Sequence, residues 1–183
     1  LQIIAGAYKS RQLKTPKGRA TRPSSSRLRE ALFNILQGTI EGACFLDLFA
    51  GSGAVGLEAL SRGAREAVFI EKEREAARCI KQNIAALEVG GRASLFTGDL
   101  FSLLGRLRKS FDIIFADPPY ESGPLSGRLL QLIDETELLK PGGLFLLEES
   151  EKTAIEAEGL KSLSLLERRR FGTSALLQFK KND

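Results

Sequence analysis

The run FDIIFADPPYE, residues 111–121, carries the most pointed chemistry in the chain. Strand-forming residues Phe111, Ile113, Ile114, Phe115 and Ala116 lead straight into Asp117, then Pro118, Pro119 and Tyr120. The exocyclic amine of a nucleobase is a poor nucleophile, because its lone pair is shared with the ring. A carboxylate and a proline-flanked carbonyl can both accept its hydrogens and hold the lone pair toward an electrophilic methyl group. Catalysis would then come from positioning and charge stabilisation. Proline fixes φ at about −65°, which keeps such acceptors rigid. Tyr120 offers a ring to stack on a base drawn out of its helix, worth about 1–3 kcal/mol. The plainer account of the same residues is a strand stopped by prolines.

A second motif bears on the choice. LDLFAGSGAVGLEAL contains Gly51-Ser52-Gly53-Ala54-Val55-Gly56, a G-x-G-x-x-G loop between a strand and a helix, with Glu71 twenty residues past Gly51. Alone it fits a dinucleotide fingerprint, in which glycines admit a ligand to the backbone and the acid takes ribose hydroxyls. The same loop serves any adenosine-bearing cofactor. Two acids favour S-adenosylmethionine. Asp47, four residues before the loop, suits the cationic amino group of a methionine moiety better than a pyrophosphate. Asp99, with Leu100 beside it, is placed to accept from an adenine amino group.

These residues need elements to hold them. Strand-like runs at 44–49, 66–71, 93–99, 111–116 and 144–149 alternate with helical runs at 54–63, 73–89, 100–107 and after Pro124. That alternation implies βαβ units and a mostly parallel α/β sheet of Rossmann-like type, covered on both faces. Pro141-Gly142-Gly143 reads as a turn before the fifth strand, and a short helix is expected around 152–158. LSLLERRRF and SALLQFK, joined at Gly172, form a C-terminal hairpin with an antiparallel strand. Ligands bind beyond the carboxyl ends of strands in such sheets. Asp47, Glu71, Asp99 and Asp117 each sit at such an end, so four acids are expected on one rim. Upstream, residues 1–18 suggest a β-ribbon, TRPSSS a linker and supply of helix caps, and Leu28, Ala31, Leu32, Ile35 and Leu36 an amphipathic helix ending near Gly38. The expected organisation is a basic extension over 1–40 and a catalytic domain over 41–183.

Composition narrows the classes. With 43% hydrophobic and 27% charged residues, the 183-residue chain is an ordinary globular one able to bury its own core. It has no histidine, which excludes a Ser-His-Asp or Cys-His hydrolase. Cys44 and Cys79 stand alone, without metal-ligand spacing, so no metal is expected and a reducing, cytoplasmic setting is. No long apolar run or signal-peptide pattern indicates a membrane span or export. There is no methionine either, so the chain is expected to begin downstream of a translated start. Residues 1–40 hold eight bases against Glu30, a balance of +7, while the rest hold 19 bases and 22 acids, or −3. A concentrated basic segment attracts polyanions by releasing counterions.

The motifs DLFAGSGAVGLEAL, FIEKE, TGDL and FDIIFADPPY resemble those of class I S-adenosylmethionine-dependent amino-methyltransferases. With IIAGAYKSRQLKTPKG and TRPSSSRLREALFNIL, nearly the whole chain is similar to the bacterial 16S rRNA guanine-N2 methyltransferases of the RsmD type. The resemblance implies S-adenosylmethionine at Asp47, Phe49, Ala50, Gly51, Gly53, Glu71, Lys72, Asp99 and Leu100. It implies that Asp117 and the Pro118 carbonyl, beside Pro119, grip the guanine amine while Tyr120 stacks on the ring. Lys9, Arg11, Lys14, Lys17, Arg22 and Arg27 would meet phosphates of 16S rRNA, in the small ribosomal subunit or an assembly intermediate; one domain with a single charged arm suggests a monomer. Ser10 departs from the family, which has glycine in its KGR-like run where this chain has KSR. A DNA adenine-N6 methyltransferase shares the DPPY chemistry, but the chain has no obvious target-recognition domain. A non-catalytic RNA-binding module would not need the intact motifs. A nicotinamide oxidoreductase would leave DPPY and the basic arm unexplained.

Overall fold

Unbroken apolar runs make strands buried on both faces. The computed structural model describes residues 1–16, 23–119 and 123–183. Its elements, in chain order, are α1 (Pro23–Ile35), β1 (Cys44–Leu48), α2 (Ala54–Ser61), β2 (Glu66–Glu71), α3 (Arg74–Ala86), β3 (Ala93–Thr97), α4 (Leu100–Leu104), β4 (Phe111–Ala116), α5 (Gly123–Glu135), β5 (Leu139–Ser150), β6 (Leu163–Phe171) and β7 (Ser174–Lys181). The strands form one sheet in the order β3-β2-β1-β4-β5-β7-β6. The five strands from β3 to β5 are parallel, and β7 runs antiparallel between β5 and β6. β1, buried at every position, lies inside the sheet between β2 and β4, while β3 and β6, the edges, are largely exposed.

Alternate side chains of each strand feed two cores. Phe45, Phe69, Phe115 and Leu146 face one side, where α1, α2 and α3 supply Leu32, Leu57 and Ile80. Leu46, Ile70, Ile114 and Leu147 face the other, under Leu104 of α4 and Ile133 of α5. Ile3, Leu13 and Leu28 of the first forty residues are buried in the first of these cores. No helix among the described residues is long and apolar enough to cross a membrane.

Several local expectations change. Residues 152–158 form no helix. Ile155 and Ala157 pack on the second core at a spacing of two, an extended pattern, and so short a helix has too few bonds to offset its nucleation. Pro141-Gly142-Gly143 lies inside β5 rather than ahead of it. Phe111 pairs with Leu139 but Ile113 with Leu144, so the triplet is accommodated as an irregularity of register. Among the described residues the ribbon is a single isolated bridge, Gln2 to Gln12. The helices α3 and α4 stop earlier than the apolar pattern, at Ala86 and Leu104, where Leu87 and Gly105 are the C-caps.

Candidate active site

The acids expected on one rim are found there. Asp47 is the penultimate residue of β1 and Glu71 the last of β2. Asp99 follows β3 by two residues, and Asp117 directly follows β4. β1 lies between β2 and β4, with Leu48 level with both Ile70 and Ala116. The Asp117 amide reaches the Leu48 carbonyl at 3.5 Å, so the start of the proline motif is still tied to β1.

Asp47 is buried, 1% exposed, and its Oδ2 accepts a hydrogen bond from the Gly56 amide at 2.9 Å. Among the described residues it forms no ion pair. Burial pushes its pKa well above the usual carboxylate range, against the pull of the Gly56 amide, and the charges of Asp117 and Glu71 push it further. A buried acid facing two other acids is a place where a cation is favoured. Glu71 uses both oxygens on backbone amides: Oε2 accepts from Gly51 at 2.7 Å and Oε1 from Glu73 at 2.8 Å. It braces the glycine loop, and its remaining lone pairs are free in number to accept more.

The loop's backbone explains its composition. Gly51 and Gly53 have φ of 58° and 77°, where a Cβ is strained. A Cβ on Gly56 would stand 2.3 Å from Cε1 of Phe69, so its absence lets α2 pack on β2. Phe49 also has a left-handed φ of 59°, a strained conformation for an aromatic residue, at the point where β1 turns into the loop. Ala50 is buried and its amide donates to the Ile70 carbonyl at 3.1 Å.

Asp99 is exposed and caps α4, with Oδ1 accepting from the Ser102 amide at 2.9 Å. Leu100 beside it is buried, and Lys72 is exposed next to Glu71. Asp117 and Pro119 are exposed, while Pro118 is buried. Tyr120, Lys17 and Arg22 lie outside the described residues. A cavity of about 420 Å³ opens at the other end of the sheet, beside Arg65, Asp112 and Lys140, and none of the candidate residues lines it.

The described basic residues Lys9, Arg11 and Lys14 do not form one cluster. Tyr8 N bonds Ser61 Oγ at 2.9 Å, and Arg11 donates to the Ala86 carbonyl at 2.6 Å. Ser61 and Ala86 end α2 and α3, helices that start at the acidic rim and run away from it. Lys9 and Arg11 therefore sit toward the amino-terminal end of the sheet. Lys14 lies beside the glycine loop, through Asn83. Asn83 Oδ1 accepts from Lys14 N at 2.8 Å, and Nδ2 donates to the carbonyls of Lys14 at 2.9 Å and Ser52 at 3.0 Å. Sequence reasoning overlooked Asn83, although a polar residue at helical spacing between Ile80 and Leu87 marks a buried face. It also overlooked Glu58, fully buried on α2, whose oxygens accept from the amides of Ile4 at 2.7 Å and Ala5 at 2.9 Å. A lone acid in the apolar run AVGLEAL was the available signal.

Comparison with known proteins extends this picture. A family model described as "Conserved hypothetical protein 95" matches residues 1–180. The Bacillus subtilis protein YlbH, named as a candidate rRNA methyltransferase, is 34% identical over 99% of both chains. The "Ribosomal RNA small subunit methyltransferase D" of Escherichia coli K12 is 37% identical over 81% of this chain and 74% of its own. A solved structure of the Escherichia coli protein yhhF, described as a candidate methyltransferase, superposes with a TM-score of 0.86 at 33% identity, covering 100% of this chain and 98% of that one. By the match of its sequence from end to end, the chain belongs to the Conserved hypothetical protein 95 family, the family of the ribosomal RNA small subunit methyltransferase D proteins.

Proposed function

We propose that this protein transfers a methyl group from S-adenosylmethionine to the exocyclic N2 amine of a guanine in 16S rRNA, in the small ribosomal subunit or its assembly intermediate. The observation that carries the reading is the adjacency of two unlike acid sites at neighbouring strand ends. Asp47 is buried, unmatched by any base among the described residues and raised in pKa, which fits the ammonium of a methionine moiety. Asp117 is exposed at the head of two prolines, which fits an incoming amine. The donor, when bound, supplies a methyl group on a positively charged sulfur. Gly51 and Gly53 admit it to the backbone, Glu71 holds the loop and accepts from ribose hydroxyls, and Asp99 with Leu100 frames the adenine. From Asp99 to Asp117 the rim spans three strand spacings, roughly 14 Å.

Asp117 and the Pro118 carbonyl accept the two amine hydrogens and aim the nitrogen lone pair along the line of attack. As the N–C bond forms and the S–C bond breaks, the nitrogen becomes positive. The Asp117 carboxylate stabilises that charge and takes the released proton. Tyr120 stacks on the extruded base, and Lys9, Arg11, Lys14, Lys17, Arg22 and Arg27 meet RNA phosphates, Lys14 beside the glycine loop and Lys9 and Arg11 toward the far end of the sheet.

The test is to incubate purified protein and methyl-labelled S-adenosylmethionine with small-subunit particles from cells lacking the gene, and to map the labelled nucleotide. Label is expected on one guanine N2 of 16S rRNA. It should vanish in Asp117→Ala while binding of S-adenosylhomocysteine is retained. Label on DNA adenine alone, or unchanged turnover in Asp117→Ala, would overturn the substrate or the role of Asp117 respectively.

A further inference from the structure

The first forty residues hold the basic excess, yet the sheet brings three more cations to the active rim. Following the ladder from β4, Ala116 pairs with Leu147, Leu147 with Leu177, and Leu177 with Arg168. Arg168 is therefore level with the end of β4. β6 runs in the same direction as β4, so Arg169 and Arg170 stand at the level of Asp117 and just beyond it. The lateral distance is three strand spacings, roughly 14 Å. Nothing in the sequence places ERRRF beside DPPY; the antiparallel insertion of β7 does.

The strand is built as an outer surface. Every residue from Ser164 to Arg170 is exposed. Successive side chains point to opposite faces, so Arg169 lies on one side of the sheet and Arg168 and Arg170 on the other. Arg168 donates to the carbonyls of Glu151 at 2.8 Å and Thr153 at 3.2 Å, and forms no ion pair among the described residues. Arg169 pairs with Glu167 at 2.7 Å and Arg170 with Glu151 at 3.2 Å. Exposed pairs of this kind are weak and exchange readily for a phosphate, which a guanidinium can grip through two N–H groups. A charged edge strand also guards against edge-to-edge pairing, but charge of either sign serves that purpose. Three adjacent cations at the active end are more than it requires. The helix α1, which carries the exposed Arg27, packs against β6 and joins this edge to the basic extension.

We infer that Arg168, Arg169 and Arg170 form a second RNA-backbone site, which receives the phosphates flanking the nucleotide held at Asp117. The inference rests on the RNA reading of the active site and adds to it a surface outside the first forty residues. The docking path then runs along the β4-to-β6 end of the rim, away from the cofactor loop.

The experiment measures binding of protein to small-subunit RNA across a salt series. The variants are Arg168→Gln/Arg169→Gln/Arg170→Gln, the single Arg170→Gln as a milder step, and Arg106→Gln/Arg108→Gln/Lys109→Gln. The last set removes the same charge just ahead of β4, at the opposite end of the sheet. Losing three phosphate contacts lowers the slope of log K against log salt by about 2, and losing one by about 0.7. That drop is expected for the edge variants and not for the control, with S-adenosylhomocysteine binding and melting temperature unchanged in all. An unchanged slope in the edge variants would overturn the inference while leaving the RNA reading intact. An equal drop in the control would reduce the effect to bulk charge and overturn it too. So would sedimentation showing a wild-type dimer that the edge substitutions dissociate. Wild-type protein that binds no RNA would overturn the inference together with the reading beneath it.

Discussion

At the scale of single residues, Asp47 shows how a binding site can sit at odds with stability. Its pKa is raised by burial, so the folded protein holds a proton there that the unfolded chain releases near pH 4, in the ordinary carboxylate range. The folded state then binds more protons than the unfolded one. Stability accordingly falls as pH rises from that range through the raised value. Asp47→Asn keeps an oxygen for the Gly56 amide and removes the titration. The variant should melt higher than wild type at neutral pH, and its melting temperature should vary less between pH 5 and 8. Its affinity for S-adenosylhomocysteine should drop by at least tenfold, the loss of about 1.4 kcal/mol or more expected for a cation left without its anion. Thermal melts over pH and calorimetric titration check the two halves. A stabilised variant that binds normally would remove Asp47 from the methionine site. Ser10 is a smaller case of the same kind. Its φ is 67°, in the left-handed region that favours glycine, so serine there carries backbone strain.

At the scale of elements, the first sixteen residues are received by polar side chains on helices rather than by a sheet. Glu58 and Ser61 on α2 take the backbone from Ile4 to Tyr8, and Asn83 on α3 takes Lys14. Asn83 also holds the Ser52 carbonyl, so one buried amide fastens the N-terminal segment and the glycine loop together. Asn83→Asp keeps the acceptor for Lys14 N but loses the donor to both carbonyls. The expected cost is about 2 kcal/mol, or roughly 5 °C in melting temperature for a chain of this size. Hydrogen exchange at the Lys14 amide should quicken, and affinity for S-adenosylhomocysteine should weaken alongside it. Faster exchange with unchanged affinity would show that the loop holds its shape without this anchor.

At the scale of the whole molecule, the sheet sorts charge along its strands. The acids of the site gather at the carboxyl ends, while Lys9 and Arg11 are carried toward the other end beside Ser61 and Ala86. Lys14 is held next to the loop. Lys14→Gln should therefore weaken RNA binding more than Lys9→Gln, although both remove one charge from the same basic run. Equal losses in a binding assay at moderate salt would mean that RNA wraps the full height of this face. Legibility followed the range of each interaction. β4 was readable to the residue, because the run from Phe111 to Ala116 is apolar apart from Asp112 and the prolines just beyond it end the strand. The segment 152–158 was not, because its pattern of two is visible only against the core that Ile155 and Ala157 touch. The fate of Pro141-Gly142-Gly143 depended on β4 being there to pair on either side of it.

The sequence by itself determined the alternation of strands and helices, the glycine loop and the placing of four acids at strand ends. Each of these follows from local spacing and backbone preference, which neighbouring residues fix among themselves. Tertiary structure alone decided that Asp47 would be buried without a base among the described residues, that Asn83 would join two distant segments, and that Arg168 to Arg170 would come level with Asp117. Those facts depend on strand order and register, which are set by the packing of two cores over the whole chain and leave no trace in any short stretch of it.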